Sequence, residues 1–136
     1  MIGRIEVPAH AERTARMGRI SGARFLLHLE GAVILAVAVA LYARVGAGWG
    51  LFAALILAPD LFMLGYLLGP RTGAHVYNAV HTSAVPVVVA TLGVLLGAQA
   101  FTAVGLVWIA HIGMDRAIGF GLKYTSSFSD THFSRL

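Results

Sequence analysis

The sequence predicts an all-α polytopic membrane protein, a four-transmembrane-helix up-down-up-down bundle, and three observations predict it. Of the 136 residues, 58% are hydrophobic and only 12% are charged, against about a quarter charged in ordinary soluble domains. The apolar residues gather into four stretches of about 20 residues each, the length that crosses a 30 Å hydrocarbon layer at 1.5 Å per residue. The connections between stretches are so short that neighbouring spans must run antiparallel.

The first 24 residues mix charged and small side chains and form a basic segment ahead of the spans. The apolar stretch after Arg24 begins too late and runs too long for a secretory signal. Arg13, Arg16 and Arg19 stand at three-residue spacing, which on a surface helix makes a basic stripe facing anionic lipid headgroups. The spans are expected at 25–45, 49–69, 74–97 and 100–121, joined by VGAGW, PRT and AQ. Residues 25–121 therefore form the membrane domain, and 122–136 a tail on the far side of the last span. Pro59 and Pro86 fall inside spans, where neighbouring helices re-satisfy freed backbone groups, and read as kinks. Trp49, Trp108, Tyr42, Tyr66 and Tyr124 read as interfacial anchors.

Basic residues orient the bundle. Arg4, Arg13, Arg16, Arg19, Arg24, Arg71, Arg116, Lys123 and Arg135 fall on the side holding both termini and the middle loop, and only Arg44 falls on the other. The expected location is the cell inner membrane, multi-pass, with both termini cytoplasmic.

Several function classes drop out. Without cysteine there are no disulfides, thiolate metal sites or thiol nucleophile. The net charge of +4 comes from arginines scattered at span ends rather than a basic aromatic face, so nucleic acid is not an expected partner. GPRTGAH lacks the glycine pattern and lysine of a phosphate-binding loop, and no G-x-S-x-G elbow occurs.

The polar residues inside the spans carry the functional signal. Glu30 lies in the first, Asp60 in the second, His81 in the third, and His111 with Asp115 in the fourth. Each ionisable group in hydrocarbon costs about 2.5–3.5 kcal/mol on insertion scales. Counted along antiparallel helices, all five sit roughly 8–15 Å below the cytoplasmic surface, in one layer. His111 and Asp115 are four residues apart and share a helix face, as do Tyr77, Asn78 and His81. Carboxylate and imidazole without thiolate suit zinc, iron or manganese. The tail adds Asp130 and His132, which a fold-back would bring over the layer as a cap.

Metal ligands are thus expected among Glu30, Asp60, His81, His111, Asp115 and His132, with Glu30, Asp60 and Asp130 as catalytic carboxylates. Tyr77, Asn78 and Arg116 are expected to support them. Blander readings stand beside these: Glu30 pairing with Arg24 or His28, Asp60 capping the helix that restarts after Pro59, His81 bonding a neighbouring helix, and Asp115 pairing with Arg116.

The strings PDLFMLGYLLGPRTGAHVYNAVH, WIAHIGMDRAIGFGLKY and FSDTH resemble an uncharacterised bacterial integral-membrane family, labelled domain of unknown function four-two-six-zero. The resemblance covers residues 22–133. It rests on Pro59–Asp60, Met63–Tyr66, Tyr77–Asn78, His81, Ala110–Arg116 and Asp130–His132, and implies no established activity. A weaker likeness is to membrane-bound metal-dependent hydrolases, whose additional histidine motifs this chain lacks.

The leading functional reading is a metal-dependent membrane enzyme, a hydrolase or oxidoreductase acting on a lipid-like or small-molecule substrate. Alternatives are a homo-oligomeric proton or ion transport protein, a haem protein with His81 and His111 as axial ligands, and a structural membrane subunit.

Overall fold

The computed structural model describes the backbone of residues 9–135 and the side chains of residues 22–135. The expected basic stripe of Arg13, Arg16 and Arg19 lies outside the described side chains. Helix α1 (Ala9–Val45) runs on without a break into the first span. It is followed by α2 (Trp49–Leu55), a 3-10 helix (Ala58–Leu68), α3 (Pro70–His81), α4 (Ala84–Leu95) and α5 (Gln99–Ile118). Four stretches are long and apolar enough to cross a membrane: Gly22–Val45, Trp49–Leu68, Pro70–Leu95 and Gln99–Ile118. Leu67, Leu68, Leu95 and Leu96 lie on the outside, as expected where hydrocarbon rather than water covers the protein.

The fourth span is the centre of the packing, with half of it buried against 6–17% of the other three. Both α1 and α4 pack along α5, and α3 packs along the 3-10 helix. The α1–α5 pair is antiparallel and close, since a Cβ added at Gly31 would run into the backbone of Arg116 and Ala117. The α4–α5 pair is equally tight, because a Cβ at Gly105 would stand 2.6 Å from the Ala90 nitrogen. Lipid gives helices no hydrophobic drive to associate, so close approach at small residues supplies the dispersion that holds them. Away from these crossings, Tyr42, Ala103, Leu106 and Val107 form a small buried cluster. Tyr42 is therefore a core residue, its hydroxyl donating to the Gly48 carbonyl at 2.7 Å, and not an interfacial anchor.

The kinks expected at Pro59 and Pro86 are replaced by breaks, at Pro59 in the second span and at Thr82, four residues before Pro86, in the third. Pro59 stands in the first turn of the 3-10 helix and separates it from α2, since a proline there has no N–H to give up to the preceding turn. Eleven residues of 3-10 helix is long for a form whose runs seldom exceed three or four residues, and mid-helix stretches of it often mark a hinge or local strain. The third span breaks at Thr82, whose backbone is extended, and Pro86 lies in the first turn of α4. The predicted PRT loop is also corrected. Gly69, at φ 111°, makes the turn alone, and Pro70 already opens α3.

After α5, Gly119 closes the helix in the left-handed conformation, and Phe120 donates its N–H to the Asp115 carbonyl at 2.7 Å. The tail then folds back as a small hairpin. Lys123 and Thr131 form an antiparallel bridge, and His132 donates its backbone N–H to the Leu122 carbonyl at 3.0 Å.

Candidate metal centre

Asp60, His81, His111 and Asp115 converge at the two breaks. His81 is the last residue of α3, and Asp60 lies in the first turn of the 3-10 helix. His111 and Asp115 come from one face of α5, four residues apart. One ligand atom from each lies within 4.8 Å of all the others.

Five of the six pairwise distances are similar, and the sixth, between the two carboxylates, lies within 4.8 Å. His81 Nε2 stands 3.6 Å from both Asp60 Oδ1 and Asp115 Oδ2. His111 Nε2 stands 3.5 Å from Asp60 Oδ1 and 3.6 Å from Asp115 Oδ2. The two Nε2 atoms are 3.2 Å apart. Four of these five separations are too long for well-formed hydrogen bonds, whose N–H···O distances centre near 2.9–3.0 Å. Four nitrogen or oxygen ligands held about 2.0–2.2 Å from a tetrahedral ion would lie about 3.3–3.6 Å from one another.

The surroundings fix the ligands' orientation. His81 Nδ1 is 2.9 Å from the Tyr77 carbonyl. A carbonyl only accepts, so Nδ1 carries a hydrogen, which leaves Nε2 of the neutral form free to face the cluster with its lone pair. The Tyr77 ring stacks on His81 at 3.7 Å and 12°, and its hydroxyl donates to Asp115 Oδ2 at 3.4 Å. His111 is fully buried, and its Nδ1 has no hydrogen-bond partner among the described residues, so the ring's polar contacts run through Nε2. The carbonyl end of α3 also points its partial negative charge toward this region, which favours a cation.

Breaking α3 in an apolar span frees carbonyls that need donors. Trp108 Nε1 donates to the Val80 carbonyl at 2.7 Å, and Arg116 Nη2 reaches the His81 carbonyl at 3.5 Å. Trp108 is thus a support for the broken helix rather than an interfacial anchor. Its position one turn before His111 in WIAHIGMD was the available signal.

The sequence profile of the family described as a domain of unknown function, DUF4260, matches residues 24–136. The chain belongs to this family. Among curated proteins and among solved structures, no match was found. All four converging residues lie within the DUF4260 region, as do the three expected ligands or catalytic groups that the structure leaves outside the cluster.

Glu30 is the first of these. It is exposed on α1, because the face that meets α5 carries Gly31, Ala38 and Tyr42. Neighbouring helix positions point about 100° apart, so Glu30 is turned away from α5 although its depth is right. His28, on the Gly31 face, places Nδ1 2.8 Å from the Ala117 carbonyl.

Asp130 and His132 are the others. Asp130 binds Arg135 through both carboxylate oxygens, at 2.8 and 2.6 Å, and also accepts from Ser126. The Arg135 guanidinium and the Ser126 hydroxyl hold its carboxyl down at about 2. His132 Nδ1 accepts the Leu122 N–H at 2.9 Å, while Nε2 faces Arg116 Nη1 at 3.4 Å. Burial, helped by the Arg116 charge, pushes its pKa down, so the ring stays neutral.

Of the expected supporting residues, Tyr77 and Arg116 touch the cluster residues directly and Asn78 does not. The Asn78 side chain donates to the Lys123 carbonyl and accepts the Lys123 N–H, both at 2.7 Å, and so fastens the tail to α3. Lys123 had entered only as a topology charge. It is buried, with Nζ 3.2 Å from the centre of the Phe128 ring and bonded to the Phe128 carbonyl at 2.9 Å. Burial pushes its pKa down, opposed by the Asp115 carboxylate.

Proposed function

We propose that this DUF4260 protein is a membrane-embedded metalloenzyme holding one divalent transition metal between Asp60, His81, His111 and Asp115. The observation that carries this reading is the near-equal 3.2–3.6 Å spacing of five ligand-atom pairs. Two carboxylates in an apolar span call for a positive counter-charge, and a divalent ion between them balances both. Zinc is the first candidate from the donor set and from five separations close to those of a tetrahedral site. Two histidines with a buried carboxylate also suit iron, and manganese accepts the same oxygens.

The four ligands are not equally covered. The Asp60 side chain is 39% exposed, against 11% for Asp115, 4% for His81 and 0% for His111. In this reading His81, His111 and Asp115 are the fixed ligands, and Asp60 is the exchangeable one. Released from the ion, its carboxylate is placed to take a proton as general base. The ion when bound would supply Lewis acidity and lower the pKa of a bound water towards 7. In this reading both termini are cytoplasmic and the membrane is the inner membrane, a topology supported by nine of the ten basic residues falling at one end of the spans.

The test is metal content of the purified full-length chain, wild type and His111→Ala side by side. Wild type is expected to carry close to one transition-metal ion per chain and His111→Ala almost none. A folded wild type that takes up no zinc, iron or manganese overturns the reading.

A transport reading draws on a different observation, the breaks themselves. Interrupted spans meeting at an acidic site also build ion paths in secondary transporters. Proton or cation flux in liposomes that Asp60→Asn abolishes would favour it, and flux absent from wild type would remove it.

A further inference from the structure

We propose, resting on the metal-centre reading, that an apolar pocket beside the cluster receives the hydrophobic part of the substrate directly from the bilayer. The molecule acted on is then an amphiphile that carries a metal-binding polar group next to an apolar group of benzene size or a short alkyl chain.

The pocket has a volume of about 210 Å³ and apolar walls throughout. Its walls are chain neighbours of three ligands. Pro59 precedes Asp60, Val80 precedes His81, and Val107 lies one helical turn before His111. Trp108 closes another side, and its polar N–H is already committed to the Val80 carbonyl. Pro59 has no N–H at all. A water entering here would find almost no partners, whereas an apolar cavity of about 150 Å³ is known to hold benzene.

Position decides where the occupant comes from. Phe62 and Val104 form part of the lining and are 50% and 38% exposed on apolar spans, so the mouth faces hydrocarbon. The cluster itself is least covered at Asp60, beside the Pro59 wall. An amphiphile whose tail enters between Phe62 and Val104 thus brings its polar group toward the exchangeable ligand. Val104 becomes a specificity residue for the size of the apolar group.

The experiment uses the zinc-loaded full chain in nanodiscs, with acetohydroxamate and octanohydroxamate as probes. Both chelate metal through the same group and differ only in the tail. Affinities are compared between wild type and Val104→Trp, which fills the pocket from its rim. Partition of the longer probe into lipid is common to both proteins and cancels in the ratio. The octano-to-aceto affinity ratio is expected to be about tenfold larger in wild type, what burying roughly two methylenes supplies. Acetohydroxamate affinity is expected to stay within about twofold. Ala58→Leu, which fills the pocket from the 3-10 helix, is expected to shrink the ratio in the same way. Equal ratios in all three zinc-loaded proteins overturn the pocket assignment and leave the metal centre standing. A wild type with no bound zinc overturns both.

Discussion

The two unbroken spans and the two broken ones divide the tasks of this molecule differently. α1 and α5 are continuous helices pressed together at glycines, so their geometry is set by backbone contact and tolerates little change. The second and third spans are interrupted at Pro59 and at Thr82, and each interruption places one residue of the cluster, Asp60 or His81. α5 delivers the other two, His111 and Asp115, from a regular helical face. α5 therefore combines close backbone packing with two cluster residues on one helix, whereas the third span packs on it through α4 and contributes His81 from α3. The broken spans depend on side-chain donors such as Trp108 to keep their ends in place.

The sharpest way to break that contrast is to damage the rigid half. Gly31→Leu drives a side chain into the Arg116–Ala117 backbone, which cannot move aside as a flexible side chain would. Overpacking typically costs about 1–3 kcal/mol and more against backbone. The variant is expected not to accumulate as a monodisperse species on size-exclusion chromatography. His111→Ala should act in the opposite way. Helical circular dichroism is expected to persist while metal affinity falls by more than the roughly 10–100-fold typical of losing an outer partner.

A subtler outcome is expected at the seam between the halves. Trp108→Phe keeps the ring but leaves the Val80 carbonyl without its donor, at a cost of about 1–3 kcal/mol. Thermal stability and metal occupancy should fall together, because the Val80 carbonyl adjoins His81. Equal occupancy at reduced stability would separate the helix end from the ligand it carries.

The smallest effect belongs to the tail. Asp130→Asn should leave metal content unchanged and speed only the hydrogen exchange of tail amides. The pH dependence has the same logic. The Asp130 carboxyl is held at about 2, below the usual carboxylate value, so its pair with Arg135 is present above about pH 4 and is lost as pH falls through about 2. Bound metal should leave at higher pH than this, because imidazole ligands must be unprotonated. Metal release and tail exchange measured across one acid titration would show the two steps apart.

Much of this was legible in the sequence. The spans follow from apolar run length, and depth follows from counting residues, which is why Asp60, His81, His111 and Asp115 could be placed together. What counting does not supply is azimuth. Glu30 has the correct depth and the wrong face, and only the packing of Gly31 on α5 decides that face. The breaks were visible as Pro59 and Pro86, but proline in lipid fits a kink as well as an end. The end at Thr82 became possible only because Trp108 and Arg116 supply the missing donors. The tail depends on a pairing between Asn78 and Lys123, 45 residues apart, with no periodic signal to announce it.

That separation has a consequence for biogenesis. Asn78 is synthesised a full span ahead of the main-chain groups it will grip, and Asp60 and His81 precede their partners His111 and Asp115 in the same way. A nascent chain with three spans inserted holds only half of the ligand set and an Asn78 amide still without its strand. On the metal-centre proposal, loading of an ion waits on α5, as fastening of the tail does.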